Sequence, residues 1–225
     1  PKSNGTYGFM NESFSDGSAL WTNATGAFTI NGGEYVLDDT VEQNSNAYAL
    51  VDQNTNHEYL YTWNQMIEGT ASNQRAGLHF FCDDPTLPNR GNSYFVYLRA
   101  SDLVQIYSVD NDVFTLQADL PYTIDTDVQY KCKVQYDPLT GWIRVFVDDN
   151  FVGAWQDATP LTSGNSISLR SGGSSIYFDD IRVYQNRGTQ VTIPAGFGEM
   201  MSIESESAIP TGFVYSIVVD SSHNW

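Results

Sequence analysis

Three observations on the sequence predict an all-β fold. No stretch repeats apolar residues at the three- and four-residue spacing of an amphipathic helix. Short alternating runs recur between clusters of Gly, Pro, Asn, Asp and Ser, the pattern of strands joined by turns. The acids are of the turn-forming kind, 19 Asp against 8 Glu, and there are only 3 Lys, so loop-favouring residues displace helix formers.

From the N-terminus, the polar start 1–6 leads into a strand over 9–14, a Ser-Asp-Gly-Ser turn at 15–18, and Trp21. Runs 27–30 and 34–37 flank Asn31-Gly32-Gly33, a hairpin turn. A short strand covers 48–51 and the polar run 53–56 ends it. A long extended segment covers 58–68, and 75–82 follows it. The loop 83–92 holds two Asp, two Pro and a Gly; strands 93–99 and 104–109 come after it. Strands 130–136 and 142–147 flank Asp137-Pro138-Leu139-Thr140-Gly141, the sharpest hairpin in the chain. Strand 151–155 leaves the Asp148-Asp149-Asn150 turn, and 166–170 and 176–184 close the domain.

Strand alternation separates faces. Cys132, Val134 and Tyr136 oppose Lys131, Lys133 and Gln135; Ile143, Val145 and Val147 oppose Trp142, Arg144 and Phe146. Leu78, Phe80 and Cys82 oppose His79 and Phe81; Tyr94, Val96 and Leu98 oppose Phe95, Tyr97 and Arg99. One face is mostly aliphatic, as a core demands. The other combines rings with charged groups, as a sugar-binding surface needs, although aromatic residues also serve simply as strand formers.

A chain of 225 residues suffices for a real core. Residues 1–187 are expected to form one β-sandwich. The polar stretch 185–190 reads as a linker, and 188–225 as a short β-rich C-terminal extension or the start of a further domain. About 35 residues cannot bury a core alone. A formal net charge of −17 repels phosphate, so nucleic acid and anionic membrane surfaces are poor partners. Apolar runs as short as 217–219 span no bilayer.

Cys82 and Cys132 both alternate onto the aliphatic face. They could form a disulfide closing a long loop, contributing on the order of 4 kcal/mol, or pack as two free thiols. The sequons at Asn4, Asn11 and Asn23 arise readily by chance in a chain so rich in Asn, Ser and Thr.

The segment Ile176-Tyr177-Phe178-Asp179-Asp180-Ile181-Arg182-Val183-Tyr184 resembles the final strand of concanavalin A-like lectin/glucanase sandwiches of the laminin-G-like type. The hairpin from Tyr130 to Asp149 is similar to that family's penultimate hairpin, and Phe14-Ser15-Asp16-Gly17-Ser18 with Trp21 and Gly33-Glu34-Tyr35 to its entry strands. The run 74–82, with Arg90-Gly91-Asn92-Ser93-Tyr94, resembles lectin-like modules of bacterial exported proteins. The resemblance implies an antiparallel two-sheet jelly roll, a concave face that holds glycan, and a structural Ca2+ where the entry and last strands meet. On that basis Glu12, Asp16 and Asp180 are the expected calcium ligands, with Asp179 as the alternate. Calcium takes hard oxygens, though the same residues also suit turns and caps.

Sandwich glucanases of this fold carry Glu-x-Asp-x-x-Glu or a close variant, which sets two carboxylates on one face. No such run occurs here. No Gly-x-Ser-x-Gly elbow or His-x-x-x-His pair occurs either, and the three His are scattered. The expectation is a non-catalytic carbohydrate-binding module of a secreted, periplasmic or surface protein, part of a larger multidomain chain. Its contacts would be Glu68, His79, Tyr97, Arg99 and Tyr107 on the concave face, with Arg90 and Asn92 from the adjoining loop. The tyrosines would stack on sugar rings, the arginines would bond hydroxyls or a uronate, and Glu68 would orient His79 or Arg99. Two alternatives remain: a glycan-cleaving enzyme using Glu68 and His79, and a structural spacer or protein-interaction domain.

Overall fold

A computed structural model describes residues 10–41, 44–70 and 73–185. The expected extension 188–225 lies outside the described residues. Those described contain fifteen strands and no helix. In chain order they are β1 (Met10–Glu12), β2 (Trp21–Thr25), β3 (Thr29–Asn31), β4 (Glu34–Asp39), β5 (Ser45–Asn54), β6 (Tyr59–Glu68), β7 (Arg75–Cys82) and β8 (Ser93–Arg99). The remainder are β9 (Leu103–Asp110), β10 (Val113–Pro121), β11 (Gln129–Asp137), β12 (Trp142–Val147), β13 (Asn150–Gln156), β14 (Ser163–Gly172) and β15 (Ser174–Gln185).

They form two antiparallel sheets packed face to face. The eight-stranded sheet runs β13-β12-β11-β6-β15-β4-β3, with β1 also on β15. The seven-stranded sheet runs β10-β9-β8-β7-β14-β5-β2. Period-2 patterning drives the packing: an alternating strand with one apolar face must bury that face against another sheet. Val134, Tyr136, Ile143, Val145 and Val147 from one sheet and Leu78, Phe80, Tyr94, Val96 and Leu98 from the other all lie in the shared core. Full burial of an aliphatic side chain of this size contributes roughly 1.5–3 kcal/mol.

The turns follow their residues. Gly32 and Gly33 both take positive φ in the β3–β4 hairpin, and Asp148 and Asp149 do the same between β12 and β13. In the β11–β12 hairpin the Asp137 carbonyl accepts from Gly141 N at 2.8 Å, and its carboxylate accepts from Leu139 N and the Thr140 hydroxyl. Strand β10 is absent from the strands that alternation predicts. It is an edge strand with a register shift between Leu116 and Ala118, so its alternation is broken.

Two bulges reset which residues face outward. In β7, Phe80 and Phe81 together oppose one residue of β14, because Ser168 pairs with His79 and Ser166 with Cys82. Phe81 takes φ 54°, and both rings enter the core. Such a bulge shifts the following residue to the other face. Cys82 therefore shares the outer face with His79, which corrects the alternation expected for it, while Cys132 stays in the core. Both cysteines are buried free thiols. The bulge is mended from inside. Buried Gln53 accepts from Phe81 N at 3.0 Å and from the Tyr61 hydroxyl at 2.6 Å, and donates to the Ser166 carbonyl at 2.9 Å. Gly164 leaves room for the bulge, since a Cβ there would lie 2.5 Å from the Phe81 backbone.

The second bulge is in β15, where Asp180 takes φ 51° and the pairing with β6 shifts between Asp179 and Arg182. Before it β15 pairs with β4 through Phe178; beyond it β15 pairs with β1.

Candidate functional site

The outer face of the seven-stranded sheet is built in rows of cross-strand partners. Ser168, His79, Phe95 and Tyr107 succeed one another across β14, β7, β8 and β9. Arg170, Gly77, Tyr97 and Gln105 form the next row, and Gly172, Arg75, Arg99 and Leu103 the one after. Gly77 is required by close approach: a Cβ would lie 2.1 Å from the Val96 carbonyl oxygen of β8. The edge strand β10 adds Phe114, whose ring lies 5.7 Å from that of His79.

His79 is the floor of this face. It is fully buried, stacked on Phe95 at 4.1 Å, and its Nδ1 meets the Ser93 hydroxyl at 3.1 Å. Its Nε2 has no hydrogen-bond partner. Burial, then the nearby Arg170 and Arg90, hold its pKa well below the usual imidazole range, so the ring is neutral. Tyr97 and Tyr107 stack at 5.5 Å, nearly parallel, with hydroxyls 3.3 Å apart. Burial raises the Tyr97 pKa, so its ring stands as a neutral donor and acceptor near neutral pH.

Arg170 spans the middle of the face. Its guanidinium lies 4.6 Å over Phe114 and 5.8 Å over Phe95, and donates to the Asn89 carboxamide at 3.0 Å. Burial, then Arg90 and Arg75, draw its pKa down to about 10. Arg75 and Arg99 converge on Asn73: Arg75 donates to its carbonyl at 3.1 Å and Arg99 to its side-chain oxygen.

The loop 83–92 lies across one end of the face. It is tied at Asn44, which donates to the Pro88 carbonyl at 2.8 Å, and at Asp112, which accepts from Asn89 N and Gly91 N. Arg90 is 1% exposed and works within this loop. It donates to the Pro85 and Leu87 carbonyls and to the Ser168 hydroxyl, while Nη2 has no partner. Asn92 is a loop tie as well. Its side chain donates to Asp83 at 2.6 Å and accepts from Asn111 N at 2.9 Å.

The expected contact set is therefore divided. His79, Tyr97, Arg99 and Tyr107 share one face, with Arg90 buried beside them and Asn92 at its margin. Glu68 does not join them. It is exposed on the other sheet's outer face, where the Tyr177 hydroxyl donates to it at 3.2 Å. Alternation within a strand says nothing about which sheet the strand joins. Glu68 therefore cannot orient His79 or Arg99, and the cleaving pair Glu68/His79 is separated by the core. The same holds for Trp142, Arg144 and Phe146, whose rings and charges face away from His79 on the eight-stranded sheet. The expected set also omits Arg170 and Phe114, which the fold brings onto this face. The spacing Ser166, Ser168, Arg170 on one face is a sequence signal for the first, and the Asn111-Asp112 turn, both residues at positive φ, for the second.

Two of the expected calcium ligands, Glu12 and Asp180, lie on opposite sides of the sheet. Glu12 points inward with Met10 and Ile181; its Oε1 accepts from Phe14 N at 3.0 Å and its Oε2 has no partner. Asp180 sits on the opposite side of the sheet, where Arg182 pairs with it at 2.7 Å and Asn64 donates to it. Among the described residues no three His, Cys, Asp or Glu side chains converge as a metal site would require.

Neither a family model nor a curated protein sequence matches the chain. Solved structures do. The carbohydrate-binding module CBM66 from Bacillus subtilis superposes with a TM-score of 0.62 at 17% identity, over 72% of this chain and 93% of that one. The Bacillus licheniformis β-glucanase gives 0.59 at 14% identity, over 81% of this chain and 100% of that one. A sialidase gives 0.60 at 12% identity over 81% of this chain, which spans 19% of the sialidase. At such identities the likeness is one of fold. The two antiparallel sheets, their strand order and these neighbours together make the chain a concanavalin A-like jelly-roll sandwich.

Proposed function

We propose that this chain is a non-catalytic carbohydrate-binding module of a secreted or surface protein, part of a larger multidomain chain. Glycan would sit on the outer face of the seven-stranded sheet. The observation that carries the reading is the pairing of stacked rings with hydrogen-bonding groups on one patch, where Tyr97 is buried and Tyr107, Arg75, Arg99 and Arg170 are half-buried. Tyr97 and Tyr107 lie parallel, beside Arg170, Arg75 and Arg99. Aromatic faces pack on the apolar faces of sugar rings, and a few placed polar groups fix orientation. A carbohydrate-binding module shares the fold. Catalysis is left out because the charged groups acting on His79 are arginines, and its expected acid partner lies on the other sheet. Calcium enters only as a variable of the assay.

The test is a glycan-array screen with and without a calcium chelator, followed by titration of Tyr107→Ala, which removes a half-buried ring without opening the core. Specific retention that weakens about tenfold in the variant supports the module and its face. No retention by folded protein, with or without calcium, overturns it and leaves a spacer or protein-interaction role.

A further inference from the structure

We infer that the ligand of this face is an anionic sugar, one bearing a carboxylate or sulfate that the arginines neutralise. The inference rests on the glycan-binding reading and adds its substrate class. Four of the seven arginines, Arg75, Arg90, Arg99 and Arg170, gather on this one patch of a chain whose net charge is −17. In so acidic a protein, surface cations are expected to find carboxylates. Elsewhere three of the four described cations do: Lys131 and Lys133 pair with Asp149, and Arg182 with Asp180, while Arg144 lies over the Trp142 ring. On this face, among the described residues, no carboxylate comes within 4.0 Å of Arg90, Arg99 or Arg170.

The nearby acids are turned to other work. Asp112 accepts from the backbone of Asn89 and Gly91 and acts on Arg90 and Arg170 only through space, and Asp119 accepts from Gln105. Two guanidinium nitrogens on the face, Arg90 Nη2 and Arg99 Nε, are buried without any hydrogen-bond partner. A buried cationic donor left unmatched is costly, and mutual repulsion between Arg170, Arg90 and Arg75 adds to that cost.

A neutral sugar would occupy donors and leave Arg90, Arg99 and Arg170 without a paired anion. A carboxylate or sulfate would satisfy both, because a guanidinium fork matches planar and tetrahedral oxyanions bidentately. The protein's overall field would repel such a ligand at a distance, but that repulsion fades over about 8 Å at physiological salt. Recognition is then a short-range event at the arginines, with Tyr97 and Tyr107 reading the ring.

The experiment pairs each acidic glycan with its uncharged counterpart. The probes are trigalacturonate and its full methyl ester, and sulfated chondroitin oligosaccharides and their desulfated forms, titrated beside an array of neutral glycans. Preference for either anionic probe over its partner by about tenfold or more is expected, and which pair shows it assigns carboxylate or sulfate. That preference should shrink from about 0.05 M to about 0.3 M NaCl and collapse in Arg170→Gln. Because Arg170 is packed on two rings, Arg99→Gln is a second variant, with near-UV circular dichroism reporting the fold of each. Equal binding of charged and uncharged partners, or retention of neutral glycans alone, overturns the anionic class and leaves the glycan-binding reading standing. Retention of no glycan of either kind overturns both.

Discussion

Replacing Gln53 by methionine removes one amide at the centre of the β7 bulge while keeping an unbranched side chain of similar length. In the native fold this amide serves four buried groups: Phe81 N at 3.0 Å, the Tyr61 hydroxyl at 2.6 Å, the Ser166 carbonyl at 2.9 Å and the Val51 carbonyl at 3.1 Å. Gln53 is 2% exposed and Tyr61 and Phe81 are fully buried, so water cannot simply take its place. Each buried polar group left unmatched costs about 1–3 kcal/mol. Even three of them give a loss of at least about 3 kcal/mol, set against a typical domain stability of about 5–15 kcal/mol. For a domain of this size that lowers the melting temperature by about 6–12 °C. Urea denaturation followed by tryptophan fluorescence reads the change as a shift in midpoint at constant slope. A loss below about 1 kcal/mol would refute the reasoning and mean that the bulge is held by packing of Phe80 and Phe81 alone.

Two further outcomes are expected. His79 is neutral in the fold because its pKa is well below the ordinary value, whereas the unfolded chain takes up a proton near pH 6.5. Below that pH the unfolded state binds more protons, so stability falls on acidification by about 1.4 kcal/mol per pH unit from this group. His79→Gln should flatten the pH dependence of the urea midpoint between pH 7 and 5, and parallel curves for the two proteins would count against the neutral ring. Burial lifts the Cys82 thiol to about 12 and raises Cys132 too. A thiol-reactive dye should therefore find no cysteine in the native protein and two in urea, with the same midpoint with or without reductant; a midpoint lowered by reductant would reveal a disulfide.

Much of the fold could be read from the chain because alternation is a local property. The split of β11 and β12 into an aliphatic and a charged face is fixed by their own residues, and the observed core holds Cys132, Val134, Ile143 and Val145 as alternation requires. Sheet membership is a long-range property. Nothing within 59–68 reveals that Glu68 lies across the core from His79, and nothing within 142–147 reveals that Trp142 and Phe146 face away from Tyr97. Alternation also fails silently at a bulge. Phe80-Phe81 reads as one inward and one outward ring, but both point inward and Cys82 is turned out. Arg90 sits in a loop with the polar, turn-forming composition of exposed segments, yet it is buried because its guanidinium collects that loop's own carbonyls. Such burial depends on where the loop lands, which its composition does not encode.

The pairing of β1 with the end of β15 has a mechanical consequence. Met10 lies opposite Val183, and partners across antiparallel strands are about 5 Å apart. Residues 10 and 185, the first and last of the described sandwich, therefore lie at the same end of this strand pair. The sandwich thus adds almost no length between residues 10 and 185. Tension applied between residues 10 and 185 would reach the three-residue strand β1 first and peel it pair by pair from β15. The sheet that carries Tyr97, Tyr107 and Arg170 is on the far side of the core from that line of pull, so load at the two ends need not disturb their arrangement.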